Sequence, residues 1–262
     1  SALGAIYRTR RAVVVGDPLQ VEPVVTIPKV LIDILADSTC VANEYKVIEN
    51  SAQTFADNIN EFNGMIGERQ VGCPLVVHRR CIEPMFSISN LISYDNRMFN
   101  KTNKKEEYLK PENSFLIKKS GWINVEGVEN GGKDHFVKNQ AERVCQLMED
   151  AVHIYSDLFE TDDKIFIITP FRTVAESMRK FIISYFSAKG YDKEILSNWT
   201  KNCVGTVHTF QGKDANEVLL VLGCSNKSAG AMNWVVKKAN ILNVACTRAK
   251  YRIAFIGNIN DW

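Results

Sequence analysis

Apolar positions along this chain follow two rhythms. Short β-branched or fully apolar runs at residues 12–15, 75–77, 122–126, 164–169, from 203, 218–222 and 251–257 read as strands. Between them the spacing is helical: 28–36, 53–60, a helix starting near Glu83 with Pro84 in its first turn, 136–154, 174–186 and 234–250. In the 136–154 stretch, Val137, Ala141, Val144, Met148 and Val152 share one helix face. From about residue 116 onward strands alternate with helices. That order predicts an α/β domain, a doubly wound and mostly parallel sheet with helices on both faces and right-handed crossovers. Residues 101–119 are polar and lysine-rich and read as a linker or exposed loop. The run at 12–15 meets a Gly-Asp-Pro turn and reads as the last strand of a preceding domain.

Composition narrows the class. The chain has 262 residues, 45% hydrophobic and 24% charged, an ordinary balance for a globular protein. A net charge of +2 permits a polyanionic partner without demanding one. Seven cysteines lie scattered with no CxxC pair, which reads as reduced thiols, not a disulfide frame or a zinc site. No apolar run is long enough to span a bilayer. The expectation is a monomeric cytoplasmic protein with no membrane partner.

Candidate chemistry centres on residues 203–214, where a strand gives way to a turn carrying Thr206, His208, Gln211, Gly212 and Asp214. One short string competes with it. Residues 127–133 satisfy the phosphate-loop pattern GxxxxGK between a strand and a helix. Asp134 then stands where a Ser or Thr hydroxyl should meet magnesium, and its charge would oppose the phosphates. The string is read as a surface turn. Three other polar turns flank strands: 16–20 (GDPLQ), 78–80 (HRR) and 243–250 (NVACTRAK). They add arginines, the best side chains for gripping phosphate bidentately. Cations beside a γ-phosphate and a polar group orienting water are much of what phosphoryl transfer requires. Neither a phosphate cradle nor a magnesium-ligand pair accompanies them.

These turns resemble motifs III to VI of superfamily 1 helicases, in the branch of the nonsense-mediated-decay RNA helicase and its bacterial relatives. GDPLQ (16–20) resembles motif III, LVVHRRC (75–81) motif IV, VGTVHTFQGKD (204–214) motif V and LNVACTRAK (242–250) motif VI. ITPF (168–171) resembles the segment between motifs IV and V. The resemblance implies the end of a first RecA-like domain at 1–27, a bridging helical segment with motif IV and linker at 28–115, and a second RecA-like domain at 116–262. It places the phosphate cradle and magnesium ligands upstream of residue 1.

The resemblance also implies roles. Gln20 would sense the γ-phosphate, and Arg80 and Arg248 would be arginine fingers. Gln211, Gly212 and Asp214 would line the nucleotide edge, with Asp214 replacing the family's usual Glu. Arg79 stands where the family has a Tyr that stacks on adenine. Thr206 and His208, with Thr169, Pro170 and Phe171, would contact a single strand. The wording VHRRCIEPMFSISN (77–90) resembles bacterial members and favours DNA over RNA. ATP and Mg2+ would serve the full-length protein, with no tight binding by this chain alone. The alternative is a RecA-like domain that binds nucleic acid or a partner without catalysis; keeping Arg80, Gln211 and Arg248 together favours the motor.

Overall fold

The computed structural model describes residues 3–17, 19–20, 25, 27–42, 45–46, 50–67, 69–102, 111, 114–131, 134–237 and 239–262. Two compact units form, Ser1–Val76 and Val77–Trp262.

The first unit contains α1 (Leu3–Tyr7), α2 (Lys29–Ser38), α3 (Ala52–Ile59) and an antiparallel pair, β1 (Gly64–Ile66) and β2 (Arg69–Val71). Ser51 caps α3 by accepting from Thr54 N–H, and the Thr54 hydroxyl accepts from Ser51 N–H, so two end donors are satisfied at once. Buried Asp57 ties the helix to the pair by accepting from Gly72 N–H at 3.0 Å. The strand expected at 12–15 does not form. Val13 and Val15 are 90% and 81% exposed, and no ladder partner lies beside them among the described residues. Apolar composition alone cannot hold a strand whose backbone groups have no neighbour to bond.

The second unit starts with a short parallel pair, β3 (Val77–His78) and β4 (Phe99–Asn100), bracketing α4 (Met85–Ser93). Then follow β5 (Gly121–Asn124), α5 (Lys138–Ile154), β6 (Ile165–Thr169), α6 (Arg172–Ser187), α7 (Lys193–Cys203), β7 (Val204–Thr206), β8 (Ala215–Val221), α8 (Ala229–Val236), α9 (Ala239–Arg248) and β9 (Ala249–Gly257). Five strands pair in parallel in the order β5-β9-β8-β6-β7, with helices around them. This is the expected RecA-like α/β sheet. All five residues of β6 are buried, as a parallel strand covered on both faces requires.

Three expectations need correction. Helix α7 was not read from the pattern, though Asp192 caps it by accepting from Glu194 and Ile195 N–H, and Leu196, Trp199, Thr200 and Cys203 bury one face. The helix expected at 234–250 is two, α8 and α9, and its last residues turn into β9, where Ala249 pairs with Ala215. Residues 101–119 are not one exposed linker: Thr102, Phe115, Leu116 and Ile117 are buried, and 103–110 and 112–113 lie outside the described residues. Two cysteines, Cys40 and Cys73, are exposed and the other five are buried.

Glu217 explains why residues 114–117 dock. Its carboxylate, fully buried in β8, accepts from Leu116 N–H at 2.8 Å, Ile117 N–H at 2.6 Å and the Tyr155 hydroxyl at 2.7 Å. Burial pushes the Glu217 carboxyl above its usual value of 4.5, although those donors and Arg252 pull the other way. The folded state therefore holds this proton more tightly than the unfolded chain. Its contribution to stability is full below about pH 4.5 and is lost as pH rises through the folded-state value. Against Glu217→Gln, which does not titrate, wild-type stability is expected to decline over that window; urea midpoints at stepped pH will show it.

Candidate functional site

The site is organised by the connection between β7 and β8. Thr206, the last residue of β7, pairs with Thr169 at the carboxyl edge of the sheet, while Ala215 opens β8 beside Ala249 at the amino edge. Both strands run the same way, so residues 207–214 must cross the whole sheet. They do so as tight turns: Thr209 N–H donates to Thr206 O at 2.9 Å, Gln211 N–H to His208 O at 3.4 Å and Lys213 N–H to Phe210 O at 3.0 Å. Phe210 anchors the crossover, fully buried and stacked on Phe166 with ring centroids 4.4 Å apart. Gly212 has φ +86, a backbone conformation that a Cβ would strain. His208, Gln211 and Gly212 are left exposed.

Motifs IV and VI meet this crossover at the amino edge. Arg248 ends α9, where its positive charge suits the helix dipole. It is fully buried. Its Nη1 donates to Phe210 O at 3.2 Å and Lys213 O at 2.9 Å, its Nε to Val244 O at 3.2 Å and its Nη2 to Thr247 Oγ1 at 3.2 Å. The guanidinium is thus a clamp from α9 to the crossover. Burial, and then the charge of Arg80, lower its pKa to about 10, so it stays charged at neutral pH. Arg80 Nε lies 3.8 Å from Asp214 Oδ2, and Lys250 Nζ 3.0 Å from Asp214 Oδ1. All three side chains are about a third exposed, at 36%, 34% and 32%. Lys250 was not singled out from the sequence, although it is the last residue of the motif VI string.

The motif IV turn is fixed to the same edge. Ile82 N–H donates to Lys250 O at 3.1 Å, and α4 packs on α9, where the Ser89 hydroxyl donates to Asn243 Oδ1 at 2.6 Å. His78 Nε2 accepts from Cys81 N–H at 2.9 Å and lies 3.1 Å from Cys81 Sγ. This pair looks like a nucleophilic dyad, but its electrostatics run the wrong way. Burial pushes the Cys81 thiol up to about 12, and burial with Arg80 lowers His78 to about 4, so both are neutral and shape the turn. Arg79, on that turn, is exposed.

At the carboxyl edge Thr169, Pro170 and Phe171 are buried, while Thr206 is half-buried with its hydroxyl 3.2 Å from that of Thr209. The structure therefore gathers Arg80, Arg248, Gln211, Gly212 and Asp214 near one end of the sheet, and Thr169, Pro170, Phe171 and Thr206 at the other. Open α/β sheets usually place ligands at the carboxyl edge, so the charged cluster occupies the less expected end. Gln20 lies in the first unit, where its Nε2 donates to Asp17 Oδ2 at 2.9 Å and its N–H to Asp17 O at 3.3 Å. In the GxxxxGK string, Gly132 and Lys133 lie outside the described residues. No helix among the described residues is long and apolar enough to cross a membrane.

Comparison with known proteins gives two findings. Over 136 residues, 52% of this chain, the sequence is 26% identical to the Regulator of nonsense transcripts 1 homolog of Arabidopsis thaliana. The match spans 10% of that relative's length. Residues 60–260 match the AAA_12 family, an AAA domain, and that span includes the motif IV turn, the crossover and Arg248. Both findings agree with the superfamily 1 helicase resemblance of the motifs. With well over half of its length matched, the chain belongs to the AAA_12 family of AAA domains.

Proposed function

We propose that residues 77–262 form the half of an ATP-driven helicase or translocase that completes a nucleotide site rather than holding the nucleotide. The crossover 207–214 carries this reading, because it ties a cationic cluster at one edge of the sheet to polar strand ends at the other. Arg80 and Lys250 share one carboxylate at a partly exposed surface. Such pairs contribute about 0–1 kcal/mol, so either cation can leave Asp214 for a phosphate oxygen at little cost. This donor set fits the phosphate end of ATP. It does not fit Mg2+, since both Asp214 oxygens already face cations.

Arg80 and Arg248 then act as arginine fingers, and Gln211, Gly212 and Asp214 as the nucleotide edge. Arg79 stacks its guanidinium plane on the base. Thr206 and His208 touch a single strand over a floor of Thr169, Pro170 and Phe171, gripping phosphates with little sequence preference. The proposed residues complete the site without forming the phosphate cradle or the magnesium ligands; magnesium, when bound, would neutralise charge on the β- and γ-phosphates.

ATP hydrolysis tests the reading. The full-length protein is expected to show turnover stimulated by single strands, with DNA the better activator than RNA at matched salt, and the isolated 262-residue chain none. No stimulation by either polymer, or robust turnover by the chain alone, would overturn it.

A further inference from the structure

A second cluster lies at the carboxyl edge, where β8 ends. Glu129 and His135 sit on the loop after β5, pinned as a narrow turn by the Glu129–Val137 bridge and by Asn130 N–H donating to Phe136 O at 3.1 Å. Cys224 sits on the loop after β8. The two loops are pressed together: Cys224 N–H donates to His135 O at 2.8 Å, and a Cβ on Gly223 would lie 2.7 Å from that same oxygen. His135 and Cys224 both take left-handed backbone, φ 56 and φ 54, which is uncommon away from glycine and tends to persist where the surroundings enforce it.

The three side chains converge. One ligand atom from each lies within 4.8 Å of the others. His135 Nδ1 is 3.2 Å from Glu129 Oε2. Around a tetrahedral zinc, with bonds of about 2.0–2.3 Å, oxygen and nitrogen ligands stand roughly 3.3 Å apart and sulfur about 3.5 Å from either. The Glu–His edge therefore already has the required length, and the distances from the Cys224 sulfur, at most 4.8 Å, need shorten by no more than roughly 1.3 Å. Cys224 is only 2% exposed, and its thiol has no hydrogen-bond partner among the described residues. It is a buried polar group aimed at the pair and bonded to neither. The other Glu129 oxygen is held by the hydroxyls of Ser228 at 2.7 Å and Ser225 at 3.2 Å, the outer support a ligating carboxylate needs.

We infer that Glu129, His135 and Cys224 form a binding site for a thiophilic divalent cation of the Zn2+ class, clamping the loop after β5 to the end of β8. Thiolate with imidazole selects such ions over Mg2+ or Ca2+, and three protein ligands leave a fourth position for water. On binding, the Cys224 S–H bond gives way to a sulfur–metal bond and its proton goes to solvent. His135 ligates through Nδ1 as a neutral imidazole with its proton on Nε2. The CxxC and His spacings that announce zinc sites are absent because the ligands are contributed by loops 89 residues apart along the chain. This inference is independent of the proposed motor function.

Co2+ tests it directly on the 262-residue chain carrying Cys40→Ser and Cys73→Ser, which removes the two exposed thiols. One equivalent is expected to bind with thiolate-to-cobalt charge transfer and tetrahedral d–d absorption, and Zn2+ is expected to displace it. Cys224→Ser should abolish the charge-transfer band. His135→Asn, which tolerates the left-handed backbone, should remove tetrahedral binding while the chain still folds by circular dichroism. Ser228→Ala should weaken affinity by about 10–100-fold. Absence of a one-equivalent band, or its survival in both Cys224→Ser and His135→Asn, would overturn the site and leave a buried His–Glu hydrogen bond beside a structural thiol.

Discussion

Arg80→Ala in the full-length protein is expected to lower strand-stimulated ATP hydrolysis by on the order of 10³–10⁵, the usual contribution of an arginine finger. Strand affinity should change little, since Arg80 lies at the amino edge and the proposed strand contacts at the other. This is the cleaner finger test because the Arg80 side chain is partly exposed, whereas Arg248 is fully buried. The Arg80 ion pair with Asp214 is 3.8 Å long and about a third exposed, worth roughly 0–1 kcal/mol. Arg80→Lys keeps the charge but loses the planar fork, and should recover only part of the rate. Turnover near wild type in Arg80→Ala, measured at saturating strand, would remove the finger role.

Arg248→Ala is expected to act through stability as well as chemistry. The substitution removes four hydrogen bonds and leaves the carbonyls of Phe210, Lys213 and Val244 without this donor. Hydrogen bonds from a charged group contribute about 1.5–3 kcal/mol each, and an orphaned buried acceptor costs about 1–3 kcal/mol. After partial relaxation a net loss of roughly 3–5 kcal/mol is expected, read as a lower urea midpoint for the 262-residue chain. An unchanged midpoint would show that the clamp is not needed. In the full-length protein hydrolysis should vanish too, for two reasons at once: the cation is gone and the crossover that presents Gln211 and Asp214 is loosened. Arg248→Lys separates them, because an ammonium can retain charge but cannot reach four acceptors in the same plane.

The two arginines also show how far motif strings can be read. LVVHRRC and LNVACTRAK point to Arg80 and Arg248 as equivalent fingers. In the structure they differ, one partly exposed beside a carboxylate and the other enclosed by backbone carbonyls. Nothing local distinguishes them, since burial depends on where the crossover is laid across α9. For the same reason the buried Phe115, Leu116 and Ile117 do not stand out in a lysine-rich stretch: Leu116 and Ile117 are held by the distant Glu217, and Phe115 lies against Tyr251. Helix α7 is a different case. Its cap at Asp192 and its face of Leu196, Trp199 and Cys203 are local features of the sequence, directly followed by the strand residues of β7.

Local chemistry determined what is periodic or contiguous: the alternation of strands and helices that makes a parallel sheet, the Gly at 212 that permits the turn, and the motif strings in their order. Those features depend on backbone sterics and side-chain period, which act over a few residues. Only the tertiary structure decided which polar turns share an edge. Pairing of β7 with β6 and of β8 with β9 sets Thr206 and Asp214 at opposite ends of the sheet. Pairing of β5 and of β8 with β9 brings Cys224 to Glu129 and His135. Such meetings are set by packing between distant segments, and no spacing along the chain encodes them.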